Sequence, residues 1–113
     1  MPRKKSELIN PEIEAVLKAA ESKKAVDPVV LDISKKNAFF DYLIVMSGES
    51  APQLKALSEA ISQVADKSFQ GSAESGWLIL DLGDTIVHVM SEEERAYYNI
   101  EGIWAKDAVV YHV

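Results

Sequence analysis

A chain of 113 residues has room for one domain, and by area scaling its fold hides roughly two-thirds of the unfolded surface. It is 48% hydrophobic and 27% charged, which excludes a wholly disordered chain, and it holds no cysteine, which excludes disulfides, thiolate metal sites and a thiol nucleophile. Its net charge of -6 lacks the basic footprint of a protein that tracks nucleic acid by itself, so a basic protein surface is the better-matched partner.

The first residues read MPRKKSE and run into a helix pattern without an apolar core. No signal peptide is expected there, and a cytoplasmic setting is. Arg3, Lys4 and Lys5 make a small basic tip. No apolar run approaches the ~20 residues that span a bilayer.

A first helix is expected over 11–24, capped by Asn10 with Pro11 at its first position and Ile9, Ile13, Val16, Leu17 and Ala20 on its apolar stripe. Asp27-Pro28 stops helical continuation. A strand over 29–34 puts Val29, Leu31 and Ile33 on one face, and 35–38 is a polar turn. The strand over 41–47 is apolar on both faces, the pattern of a central strand covered on two sides. Gly48-Glu49-Ser50 then turns into a helix ending near Lys67. Ser50 and Gln53 have capping-box spacing, and Leu54, Leu57, Ile61 and Val64 form its buried stripe. Residues 69–76 read as a loop. Strands over 77–81 and 85–90 form a hairpin across Leu82-Gly83-Asp84. Ser91 and Glu94 repeat the capping-box spacing ahead of a helix running to about Trp104, with Gly102 as its weak point. Ala108 to His112 adds a short last strand. The order α-β-β-α-β-β-α-β implies an α+β domain, a mixed sheet of about five strands with helices packed on it.

Few residues are placed for chemistry. His88 stands mid-strand with Asp81 and Asp84 nearby, which could form an acid–base pair, but no nucleophile lies at a useful spacing. A structural or binding role for His88 is the better reading. Asp81 and Asp84 straddle a turn, so a two-metal site would need a convergence that spacing does not assure. Turn chemistry by Asp84 beside Gly83 suits them better. Glu49 opposes phosphate at the 48–50 turn, and GxxxxGK[ST] is absent. In a continuous last helix Ala96, Ile100 and Ile103 form one stripe, while Tyr97, Glu101 and Trp104 share a neighbouring face. That surplus of aromatics, with Trp77 and Tyr98, suits a protein interface.

Three segments stand in order along the chain: Phe39-Phe40-Asp41-Tyr42 leading through Leu43–Met46 to Ser47-Gly48-Glu49-Ser50; Trp77 to Met90; and Arg95-Ala96-Tyr97-Tyr98-Asn99-Ile100-Glu101-Gly102-Ile103-Trp104. The first is similar to an F-x-D-Y, apolar run and G-x-S, the second to a W-hydrophobic-D-x-G-D-hydrophobic-V-H-V block, and the third to R-x-x-Y-x-L-E-x-L-W. Together they resemble the ribosomal silencing factor (Iojap) family, which carries these three motifs. Gln70-Gly71 departs from the usual Glu-Gly, the segment before it is short, and Ile100 and Ile103 replace leucines.

The resemblance implies a nucleotidyltransferase-like fold without an enzyme's task and with no cofactor or metal. It implies binding to large-subunit ribosomal protein fourteen, a steric block of subunit joining and repression of translation, and it is compatible with homodimers. Within it, Trp77, Asp81, His88, Tyr98, Glu101 and Trp104 are the expected partner contacts. The rivals are a metal-dependent nucleotidyltransferase-like enzyme, although no Asp-x-Asp follows the Gly-Glu-Ser turn, and a self-associating module.

Overall fold

The computed structural model describes residues 10–105 and 109–112, and describes the backbone but not the side chains of 105 and 109–112. The elements are α1 (Pro11–Ser22), β1 (Val26–Asp32), β2 (Tyr42–Gly48), α2 (Ala51–Ala65), β3 (Gln70–Ser72), β4 (Trp77–Asp81), β5 (Thr85–Ser91), α3 (Glu92–Tyr98), α4 (Ile100–Ala105) and β6 (Val109–His112). The basic tip at Arg3, Lys4 and Lys5, and Ile9 and Ala108, lie outside the described residues.

The strands make one mixed sheet in the order β3-β4-β5-β2-β1-β6. Only β2 and β5 run parallel; the other neighbours are antiparallel. The expected α+β architecture is present, with one strand more than expected. Gln70–Ser72, read as loop, pairs with Trp77–Ile79. Gly71 allows it: its φ is 95°, and a Cβ there would lie 2.3 Å from the Trp77 carbonyl oxygen. A three-residue strand has too little alternation to show in sequence.

Capping works locally as read. Asn10 Oδ1 accepts from the Ile13 N–H (2.8 Å) and Ser50 Oγ from the Gln53 N–H (3.2 Å). Gln53 Oε1 accepts from the Glu49 N–H (2.6 Å), and its Nε2 donates to the carbonyls of Lys23 and Lys24, tying the start of α2 to the end of α1. α1 ends two residues earlier than expected. Lys24 turns left-handed (φ 59°), and the Ala25 N–H returns to the Ala20 carbonyl. The chain therefore enters β1 at Val26, and Asp27-Pro28 becomes a bulge in that strand instead of a stop before it. Pro28 is tolerated there because the β6 pairing begins only at Val29.

The sheet has two unequal faces. On one, Val30, Ile44, Met46, Leu78, Leu80, Val87 and Val89 meet Ile13, Val16 and Leu17 of α1 and Leu54, Leu57 and Ile61 of α2. Val64 lies past that stripe and is exposed. On the other face Val29, Leu31, Ile33, Leu43, Val45 and Met90 form a smaller cluster, with Phe40, Trp77, Ile86, Ile100 and Trp104 packed against it. Residues 43–46 are buried on both faces, as a central strand requires.

The last helix is where pattern and structure part. Asn99 adopts a left-handed conformation (φ 45°), and its N–H bonds the Arg95 carbonyl, closing α3; α4 restarts at Ile100. Gly102 is a consequence of the break. A Cβ there would lie 2.4 Å from Asn99 Nδ2. Ala96 and Ile103 are exposed, so the stripe expected of a continuous helix is not a buried face.

Candidate functional site

The break at Asn99 builds an ion pair. On an unbroken helix, residues six apart point about 120° away from the same face. Here Arg95 Nε donates to Glu101 Oε1 (2.5 Å) and Nη2 to Oε2 (3.2 Å), a bidentate pair. Nη1 donates to the Val26 carbonyl (3.3 Å) and to Ser47 Oγ (3.2 Å), and Asp27 Oδ2 stands 3.8 Å from Nη2. Arg95 is buried and anchors α3 and α4 to the ends of β1 and β2. Composition and periodicity passed over it; the available signal was its place with Glu101 in the third matched segment.

The paired α4 lays Ile100 and Trp104 on the smaller cluster. Glu101 is therefore not a free carboxylate, and Trp104 is half-buried on the sheet.

Beside α4, three of the expected residues meet. Trp77 and Tyr98 rings have centroids 4.8 Å apart, and Trp77 and His88 rings 5.8 Å. Trp77 Nε1 donates to His88 Nδ1 at 2.9 Å. Tyr97 stands edge-on to Tyr98 and is 81% exposed. Burial without a nearby counter-charge lowers the His88 pKa from 6.5 to about 4, so the imidazole is neutral at pH 7.

Asp81 stands apart from these rings. Its Oδ1 accepts from the Gly83 N–H (2.8 Å), so the turn carboxylate is Asp81, not Asp84. The Asp84 carbonyl takes the N–H groups of Asp41 and Tyr42, and its Oδ1 accepts from the Thr85 hydroxyl (3.1 Å). Ile79 and Ile86 floor a hollow of about 450 Å³ walled by Lys67, Ser68, Gln70 and Asp81. The rings of Tyr98, Trp77 and His88 and this hollow lie on the sheet face that α1 and α2 leave uncovered.

The other feature singled out in sequence is the 48–50 turn. It opens a cleft of about 350 Å³ at the carboxyl ends of β2 and β5, whose following helices leave to opposite faces, where open α/β sheets usually take ligands. Its lining includes Glu49, Glu74, Glu92, Glu93 and Glu94, a concentration of charge that repels phosphate. The hydroxyls of Ser50 and Ser91 are committed to capping N–H groups. Among the described residues no set of three His, Asp or Glu side chains is arranged to hold a metal ion.

A family model described as "Ribosomal silencing factor during starvation" matches residues 6–112. The chain belongs to the ribosomal silencing factor family. A ribosomal silencing factor of Bacillus subtilis is 36% identical over 92 residues, covering 76% of this chain and 78% of the relative. One from Chromobacterium violaceum is 39% identical over 94 residues, covering 78% and 77%. A chloroplast Iojap protein of Zea mays is 30% identical over 92 residues, covering 77% of this chain and 40% of the plant protein. A crystal structure from Chromobacterium violaceum superposes with a TM-score of 0.75 at 36% identity, covering 86% of each chain. In this member of the family, the aromatic face, the Arg95–Glu101 pair and the acidic cleft are the features that bear on function.

Proposed function

We propose that this protein is a single-domain translational repressor that works by occupying space. It docks on large-subunit ribosomal protein fourteen, blocks association with the small subunit, and acts in the cytoplasm. The observation that carries the reading is the run of touching rings, Tyr98–Trp77–His88, on the sheet face that α1 and α2 leave uncovered, in a member of this family. Aromatic side chains bury large area at low entropy cost, as interface anchors do. The rings supply the anchor, the free oxygen of Asp81 is placed to receive a partner's lysine or arginine, and Glu101 and Trp104 form the rim. A net charge of -6 suits a basic ribosomal protein and disfavours direct docking on RNA. The acidic, self-capped cleft supports a role without catalysis over the nucleotidyltransferase-like alternative.

Co-sedimentation with separated subunits, followed by a subunit-joining assay, tests this. Wild type should travel with large subunits and inhibit joining. Tyr98→Ala, at a side chain 48% exposed, should weaken binding by about tenfold while leaving the thermal midpoint within a few degrees. Unimpeded joining in the presence of bound protein, or equal binding by the variant, would refute the assignment. The exposed Tyr97 and Ile103 favour a second reading, self-association through the same face, which sedimentation of the protein alone distinguishes.

A further inference from the structure

We propose that His88 works in this surface as a neutral hydrogen-bond donor, its ring fixed by Trp77 so that Nε2–H meets an oxygen acceptor on the docked protein. The inference rests on the docking reading above and adds the chemistry of one contact. An indole N–H can only donate, so the 2.9 Å contact from Trp77 Nε1 requires a lone pair on His88 Nδ1. A neutral ring with its lone pair at Nδ1 carries its proton at Nε2. An imidazolium, protonated at both nitrogens, would lose the bond. Trp77 thus selects tautomer and charge state together, and is a positioning residue.

The Nε2 proton is left for an outside group. Among the described residues none accepts from it, yet no buried side-chain nitrogen or oxygen lacks a partner. Nε2 is therefore open to solvent in the free protein. Its setting is apolar: Ile79 and Val45 are the cross-strand neighbours of His88, and the Trp77 ring abuts the imidazole at its Nδ1 edge. Docking that expelled water would leave the donor unpaired unless the partner supplied an acceptor, and an unpaired buried donor costs more than the bond returns. A lysine or arginine of the partner cannot meet this position. A backbone carbonyl or a carboxylate can.

The first test needs no ribosome. Long-range proton–nitrogen NMR of the histidine rings, with His88→Gln used for assignment, should show His88 as the Nε2–H tautomer at pH 7. Trp77→Phe keeps the ring but removes the donor, and should give a tautomer mixture. An Nδ1–H tautomer or an imidazolium in wild type at pH 7 would overturn the proposal. The second test is affinity for large subunits. His88→Phe and His88→Glu should bind about tenfold more weakly, and His88→Gln, which restores an N–H donor, should recover most of that loss. A His88→Phe loss unchanged between low and high salt assigns a carbonyl acceptor; one that shrinks with salt assigns a carboxylate. Wild type that binds and His88→Phe that binds equally would refute the donor contact alone. Wild type that fails to bind would refute both the contact and the docking reading.

Discussion

Acid should destabilise this protein through His88 in a way one substitution can isolate. The unfolded chain takes a proton on this histidine near pH 6.5, whereas the folded ring, desolvated by burial, takes it near pH 4. Between those values the unfolded state binds more protons, so lowering the pH favours unfolding. The stabilisation is complete above pH 6.5, falls progressively below it, and is gone once the folded ring is also protonated. A separation of about 2.5 pH units at ~1.4 kcal/mol per unit corresponds to about 3 kcal/mol, of which about 2.5 kcal/mol is lost by pH 4.5. Protonation at Nδ1 also removes the acceptor of the Trp77 N–H, so Trp77 fluorescence should change over the same acid range. The assay is urea unfolding of wild type and His88→Gln at half-unit steps from pH 7.5 to 4.5. The 18 carboxylates titrate in both proteins and cancel in the difference. Wild type should lose about 2.5 kcal/mol more than the variant across that window. Parallel stability profiles would refute the burial argument.

Two further substitutions test the frame that presents the surface. Glu101→Gln leaves the Arg95 guanidinium, with 10% of its side chain exposed, without its bidentate partner, and should cost about 2–4 kcal/mol in urea unfolding. A loss under about 0.5 kcal/mol would mean that the pair does not hold α4. Leu57→Ala, at a fully buried contact between α2 and the sheet, should cost about 3–4 kcal/mol by calorimetry or denaturant. A change below about 1 kcal/mol would show that the larger core collapses around the gap.

Much of the fold was legible because its determinants are local. Asn10, Ser50 and Ser91 each cap a backbone N–H three residues on, a distance a sequence displays directly. The doubly apolar run through β2 announces its burial on both faces. The same reasoning put the end of α1 too late and missed β3, because positive φ at Lys24 and Gly71 is chosen by where the next strand must pair. It kept the last helix whole because no side-chain pattern forbids helix at Asn99; the turn is favoured by what it brings together.

The sequence by itself determined most of the elements, the two-sided central strand, the absence of thiol chemistry, and the family through three matched segments. The tertiary structure alone decided which candidate side chains carry internal partners. Trp77 and His88 are 11 residues apart and become partners because β4 and β5 pair in one register. Arg95 reaches Val26 across 69 residues and Glu101 across a kink, which gives a predicted contact carboxylate an internal counter-charge. Capping and alternation act over two to four residues and are written along the chain. Tautomer, charge pairing and exposure depend on neighbours that only the closed sheet supplies.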